Sequence, residues 1–135
     1  MGFIFAKSLG GEMYPIVEKK PTTASETYTT GEALVLSSGA LTKCGATTKP
    51  TYIAARSYVA PASGNEDLEV NPILPEYIYQ STFSADPDSI NIGDKVTIAS
   101  DGLRVTATTS SGVATVDAKL DGGNDTGDGV TVRFI

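Results

Sequence analysis

The residues that could do chemistry in this chain are few, and the absent ones constrain it most. Histidine is missing altogether, which removes the commonest general base and the commonest metal ligand. No serine therefore has a base to activate it. Cys44 is the one cysteine, so neither an internal disulfide nor a thiolate zinc cluster can form. The neighbouring ammonium of Lys43 would favour a thiolate. With no base to pair with, Cys44 is expected to be a small buried residue instead. Carboxylates are more plentiful: Glu66, Asp67 and Glu69 share one stretch, and Glu32 and Asp94 occupy matching turns. Two of them could act on a glycosidic bond, but no tryptophan is available as a sugar platform. A glycine-rich phosphate loop with a trailing lysine is also absent. The expectation is a protein that is not an enzyme and needs no cofactor.

One motif could hold a metal ion. Asp121-Gly-Gly-Asn-Asp-Thr-Gly-Asp-Gly129 places Asp121, Asn124, Asp125 and Asp128 within nine residues. Calcium takes six to eight oxygens, and acids on a glycine-rich turn can supply several. The spacing fits neither the helix-loop-helix calcium loop nor a nonapeptide array. The same residues also build an ordinary solvated hairpin turn, so no metal is expected and calcium is the alternative.

Ten Lys and Arg against 16 Asp and Glu give a formal charge of -6, which repels nucleic acid and anionic membranes. Lys19-Lys20 is the only adjacent basic pair. Nothing approaches the roughly 20 apolar residues of a membrane span. The run Met1-Gly-Phe-Ile-Phe-Ala is too short for a signal peptide. Gly2 lacks the Ser or Thr that myristoylation wants at position 6, which is Ala6. The chain is expected to be made whole in a cytoplasm.

The elements that would carry these residues are strands. No window shows the helical period, and Thr and Ser abound where a helix would want Ala, Glu or Lys. One stretch occurs twice: Gly31-Glu-Ala-Leu-Val-Leu-Ser-Ser-Gly-Ala-Leu41 and Gly93-Asp-Lys-Val-Thr-Ile-Ala-Ser-Asp-Gly-Leu103. Each copy reads as turn, alternating strand, glycine turn and returning strand. Leu34 and Leu36, like Val96 and Ile98, should share an inward face, and Glu32 and Asp94 should finish turns. Thr51–Val59, Tyr77–Phe83, Val113–Leu120 and Val130–Ile135 read as further strands. The fold class is therefore all-β: a small barrel or sandwich of about eight to ten short strands, with two similar hairpin halves.

Residues 1–30 differ from the rest. Phe3, Ile4 and Phe5 form an apolar tip, Tyr14 to Val17 could be one short strand, and Glu18 to Glu26 is polar and broken by Pro21. This segment is expected to be an arm with one edge strand, ahead of a single domain over 31–135. Residues 61–75 read as a long internal loop, with Leu68, Val70, Ile73 and Leu74 as pieces that could pack down or meet a partner.

Thr30 to Lys43, followed by Thr51-Tyr-Ile-Ala-Ala55, resembles the decoration, or head-stabilisation, proteins of tailed bacteriophages. The likeness lies in a Gly-acid turn, a strand, a Gly turn, a short strand ending in Lys, and an apolar strand ending in small residues. It implies a β-rich cement protein on the outer surface of a virion capsid, commonly a trimer, that bridges major capsid protein subunits. On that reading Phe3, Ile4, Phe5 and Tyr14, with Leu68, Val70, Ile73 and Leu74, would meet capsid or a sister subunit. The alternative is a glycan- or cell-surface-binding β module, an adhesin or fibre domain, using the Asp121–Gly129 loop with calcium.

Overall fold

A computed structural model describes residues 2–10, 15–64 and 66–135 of the chain. The strands are β1 (Ile4–Ser8), β2 (Glu18–Pro21), β3 (Thr27–Tyr28) and β4 (Ala33–Ser37). Then come β5 (Ala40–Lys43), β6 (Tyr52–Ala54), β7 (Tyr58–Val59) and β8 (Asp67–Pro72). The last four are β9 (Tyr77–Thr82), β10 (Lys95–Val96), β11 (Ala114–Lys119) and β12 (Gly129–Arg133). Among the described residues there is no helix, and every ladder is antiparallel. The all-β expectation holds as a sandwich rather than a closed barrel, with twelve short strands instead of eight to ten.

Sheet one runs β1-β9-β12-β11-β10 and sheet two runs β2-β8-β6-β4-β5, with β3-β7 as a separate ribbon. Sheet two curls until its edges touch at a single bridge between Thr22 and Leu41. A polar tie reinforces that seam. The Leu41 carbonyl accepts from the Tyr28 hydroxyl at 2.7 Å and from the Thr23 hydroxyl at 2.8 Å. The Tyr28 oxygen in turn accepts the Thr23 N–H at 2.9 Å.

Two apolar clusters follow from this curl. Leu34, Leu41, Ala54, Leu68, Val70 and Tyr28 fill the inside of sheet two. Phe3, Tyr79, Phe83, Val96, Ile98, Val132 and Phe134 are among those that fill the space between the sheets. Strands β4 and β6 serve both, because successive side chains point to opposite faces: Ala33 and Ile53 join the larger cluster, Leu34 and Ala54 the smaller. Each fully buried large side chain contributes about 1.5–3 kcal/mol.

Several expectations need correction. The described part of residues 1–30 is woven into the fold: β1 pairs with β9, β2 with β8 and β3 with β7. Phe3 lies edge-on to Phe134, with ring centres 5.2 Å apart, so the aromatic tip is bound by the chain's own core. The stretch read as a loop over 61–75 contains β8, which sits between β2 and β6. The strand expected over 51–59 breaks after Ala54, and its end turns away to pair with β3. Leu36 is 43% exposed and does not share the burial of Leu34, although its cross-strand partner Leu41 is buried.

The turn that opens each copy is the same in three dimensions, while the returning stretch of copy two forms isolated bridges at Val105 in place of a strand. In copy one Glu32 N–H donates to Thr29 O, and the Glu32 carboxylate accepts the Thr29 N–H at 3.1 Å. In copy two Asp94 N–H donates to Asn91 O, and the Asp94 carboxylate accepts the Asn91 N–H at 2.9 Å. Gly31 and Gly93 hold φ values of 86° and 96°, the positive φ that a type II turn requires at its third position. Both turns clip to a neighbouring strand in the same way. Gly31 N–H donates to Ala54 O and Ala54 N–H to Glu32 O, while Gly93 N–H donates to Val116 O and Val116 N–H to Asp94 O.

Candidate functional site

The Cys44 side chain is buried, and its thiol donates to Gly45 O at 3.2 Å. Burial pushes that thiol up to about 11, so Lys43 does not make it a nucleophile. Tyr28 is also pushed above its ordinary value, mainly by burial. Glu69 goes the other way: the Arg56 guanidinium, 3.0 Å from its carboxylate, holds it below the usual range. Arg56 also lies over the Tyr58 ring at 4.6 Å, so both charges are committed to a surface cluster.

The Asp121–Gly129 loop behaves as a turn. One Asp128 carboxylate oxygen accepts the Asn124 and Asp125 N–H groups, both at 3.1 Å. Phe83 N–H donates to Asp128 O and Gly127 N–H to Phe83 O, which pins the loop to the end of β9. Among the described residues no three His, Cys, Asp or Glu side chains gather as a metal would need. No described helix is long and apolar enough to cross a membrane.

What remains is surface able to bind a partner. The eight residues expected there separate into four groups. Phe3, Leu68 and Val70 are buried in the chain's own core. Phe5 and Ile73 are half-buried against the larger cluster. Ile4 is 61% exposed, and Leu74, just after β8, is also exposed. Tyr14 lies outside the described residues.

Ile4 borders a groove of about 290 Å³ between β1 and the middle of sheet two. Phe5, Pro15, Ala55, Asn71 and Tyr79 are among its lining residues. Asn71 donates from its side-chain amide to Ile16 O at 3.0 Å, which holds the Pro15–Val17 segment at the groove's rim. Ile16 and Val17 follow with exposures of 64% and 63%. The sequence around them reads as a short strand, and only the structure shows that both side chains are left in solvent.

The fold has a phage counterpart. It is similar to the crystal structure of the N base of head fiber gp8.5 in bacteriophage phi29, with a TM-score of 0.58. The likeness covers 89% of this chain and 95% of that one, at 19% sequence identity. That is too much of the chain for either sheet to be left out, so the sandwich as a whole is shared. No protein-family model matches the chain, and no curated protein does.

Proposed function

We propose that the chain is a non-enzymatic structural protein of a tailed-phage virion. It sits on the outside of the head as an oligomer, a trimer by preference, and stabilises the shell by bridging major capsid protein subunits. The observation that carries this reading is the likeness in fold to a phage head fiber base over nearly the whole of both chains. The turn-strand pattern of Thr30–Ala55 supports it from the sequence side. So does the surface: an apolar rim at Ile4, Ile16 and Val17 beside an open groove. A subunit held at several weak contacts gains from effective concentration what each contact lacks.

The name of the structural neighbour favours one further reading. The chain would then be the base of a fibre that projects from the head, rather than a knob that lies on the shell. Electron cryomicroscopy of purified particles separates the two. Density that ends at the chain supports decoration, and density that continues outward from it supports a fibre base. Immunogold labelling on tails alone, or absence from the particle, sinks both. For the contact surface, Ile4→Asp should abolish co-sedimentation with heads while leaving the melting temperature within a few degrees. Undiminished binding would move the contact elsewhere.

A further inference from the structure

Glu32 is the most deeply buried charged group among the described residues, 1% exposed, and it lies where the two hairpin copies meet. One carboxylate oxygen accepts the Thr29 N–H, and the other has no hydrogen-bond partner among the described residues. The tip of copy two closes over it. A side chain at Gly102 would stand 3.0 Å from the Glu32 Cγ, and the adjacent Ala33 N–H donates to Gly102 O at 2.9 Å. Charged and titratable groups face it from every side: Glu26 and Tyr28 at β3, Lys43 and Cys44 at the end of β5, and Asp101 at the tip of copy two. Asp101 is itself paired with Arg104 at 2.9 Å, and Glu26 has a buried carboxylate oxygen without a partner too.

We propose that Glu32 is a proton-operated latch between the two hairpin copies: protonated, it closes the Ala33–Gly102 joint, and ionised, it loosens it. A buried carboxylate oxygen without a partner is costly when charged and far less so when it carries a proton. To solvate the charge, the tip around Gly102 must lift, and the Ala33 hydrogen bond goes with it. Burial pushes the Glu32 carboxyl above its ordinary value, Glu26 and Asp101 push the same way, and the Thr29 N–H and Lys43 oppose them. The sign follows directly. A group that holds its proton more tightly when folded stabilises the closed form at low pH and loses that contribution as pH rises through the raised value. Cys44 and Tyr28 stay protonated throughout this window, since both are shifted upward.

Two measurements on the full chain test this. Carbon-13 NMR of the carboxyl groups should show Glu32 titrating above the ordinary 4.5. Amide hydrogen exchange should show the Ala33 protection factor falling as pH rises through the raised Glu32 value. Glu32→Gln should flatten that fall, and Glu26→Gln should move its midpoint downward by removing a like charge. An ordinary Glu32 titration, or a wild-type protection factor that does not change with pH, overturns the latch. So does an equal fall in a folded Glu32→Gln. If that variant does not fold, the two wild-type measurements decide alone.

Discussion

The two hairpin copies begin with the same turn and end in different surroundings. In copy one the turn is covered: Phe3 N–H donates to Gly31 O at 2.9 Å, and Gly2 packs directly on Gly31. In copy two the equivalent turn is open, with Gly93 exposed and Ile92 67% exposed. The acid that closes the first turn is buried, and the acid that closes the second is half-exposed. Past the turn the order reverses. Copy two sends both Val96 and Ile98 into the larger core, while copy one buries Leu34 and leaves Leu36 outside. Turn chemistry is therefore local and repeats faithfully. Burial is tertiary and depends on what the rest of the chain lays over each copy. The copies are also bonded to one another, through Ala33 N–H to Gly102 O.

The largest test of that contrast lies within copy one. Leu34→Ala should cost about 2–5 kcal/mol, as for other fully buried leucines. Leu36→Ala, two residues on, should cost less than about 0.5 kcal/mol, as surface substitutions do. Denaturant titration of the two variants reads both values. Similar losses would mean that the hairpin tip is covered in solution, for instance by another subunit.

The turn glycines come next. Alanine at either position suffers the left-handed penalty of about 1–2 kcal/mol. At Gly93 that is all, because an added Cβ meets nothing within 4 Å. At Gly31 the Cβ would stand 3.0 Å from Gly2 Cα and from Phe3 N. That would push the N-terminal segment off the turn and loosen Phe3 in the core. Gly31→Ala should therefore melt well below Gly93→Ala. Equal melting would show that the Gly2–Phe3 cover adds nothing to the fold.

How much of this could be read from the sequence divides along the same line. The turns were legible because Gly followed by an acid has a local physical meaning. The β class was legible from alternation and from β-branched content. The N-terminal strands were not. Glu18-Lys-Lys-Pro21 is polar and looks like a tail, but charge and proline are also what protects an edge strand, and β2 is an edge. Likewise Asp67-Leu-Glu-Val70 alternates as a half-buried strand should. Its signal was overridden by Pro61, Gly64, Pro72 and Pro75 on either side. The binding surface was the least legible part. Phe3, Ile4 and Phe5 are equally apolar, and only their pairing to β9 decides that Ile4 faces solvent while Phe3 meets Phe134.

The smallest expected effect belongs to Asp94, and it separates the turn from its setting. Asp94→Ala removes the acceptor for the Asn91 N–H. Asn91 is exposed, so that N–H returns to water, and the loss should be the net worth of one hydrogen bond, about 0.5–1.5 kcal/mol. The backbone should stay in place, since Gly93 and Asp94 are still clipped to Val116 and the Asp94 N–H still reaches Asn91 O. Removing Glu32 should change how stability depends on pH even where the turn survives. Should the two acids instead cost the same under denaturant, burial of the first turn would be energetically idle, and the difference between the copies would reduce to their sequence alone.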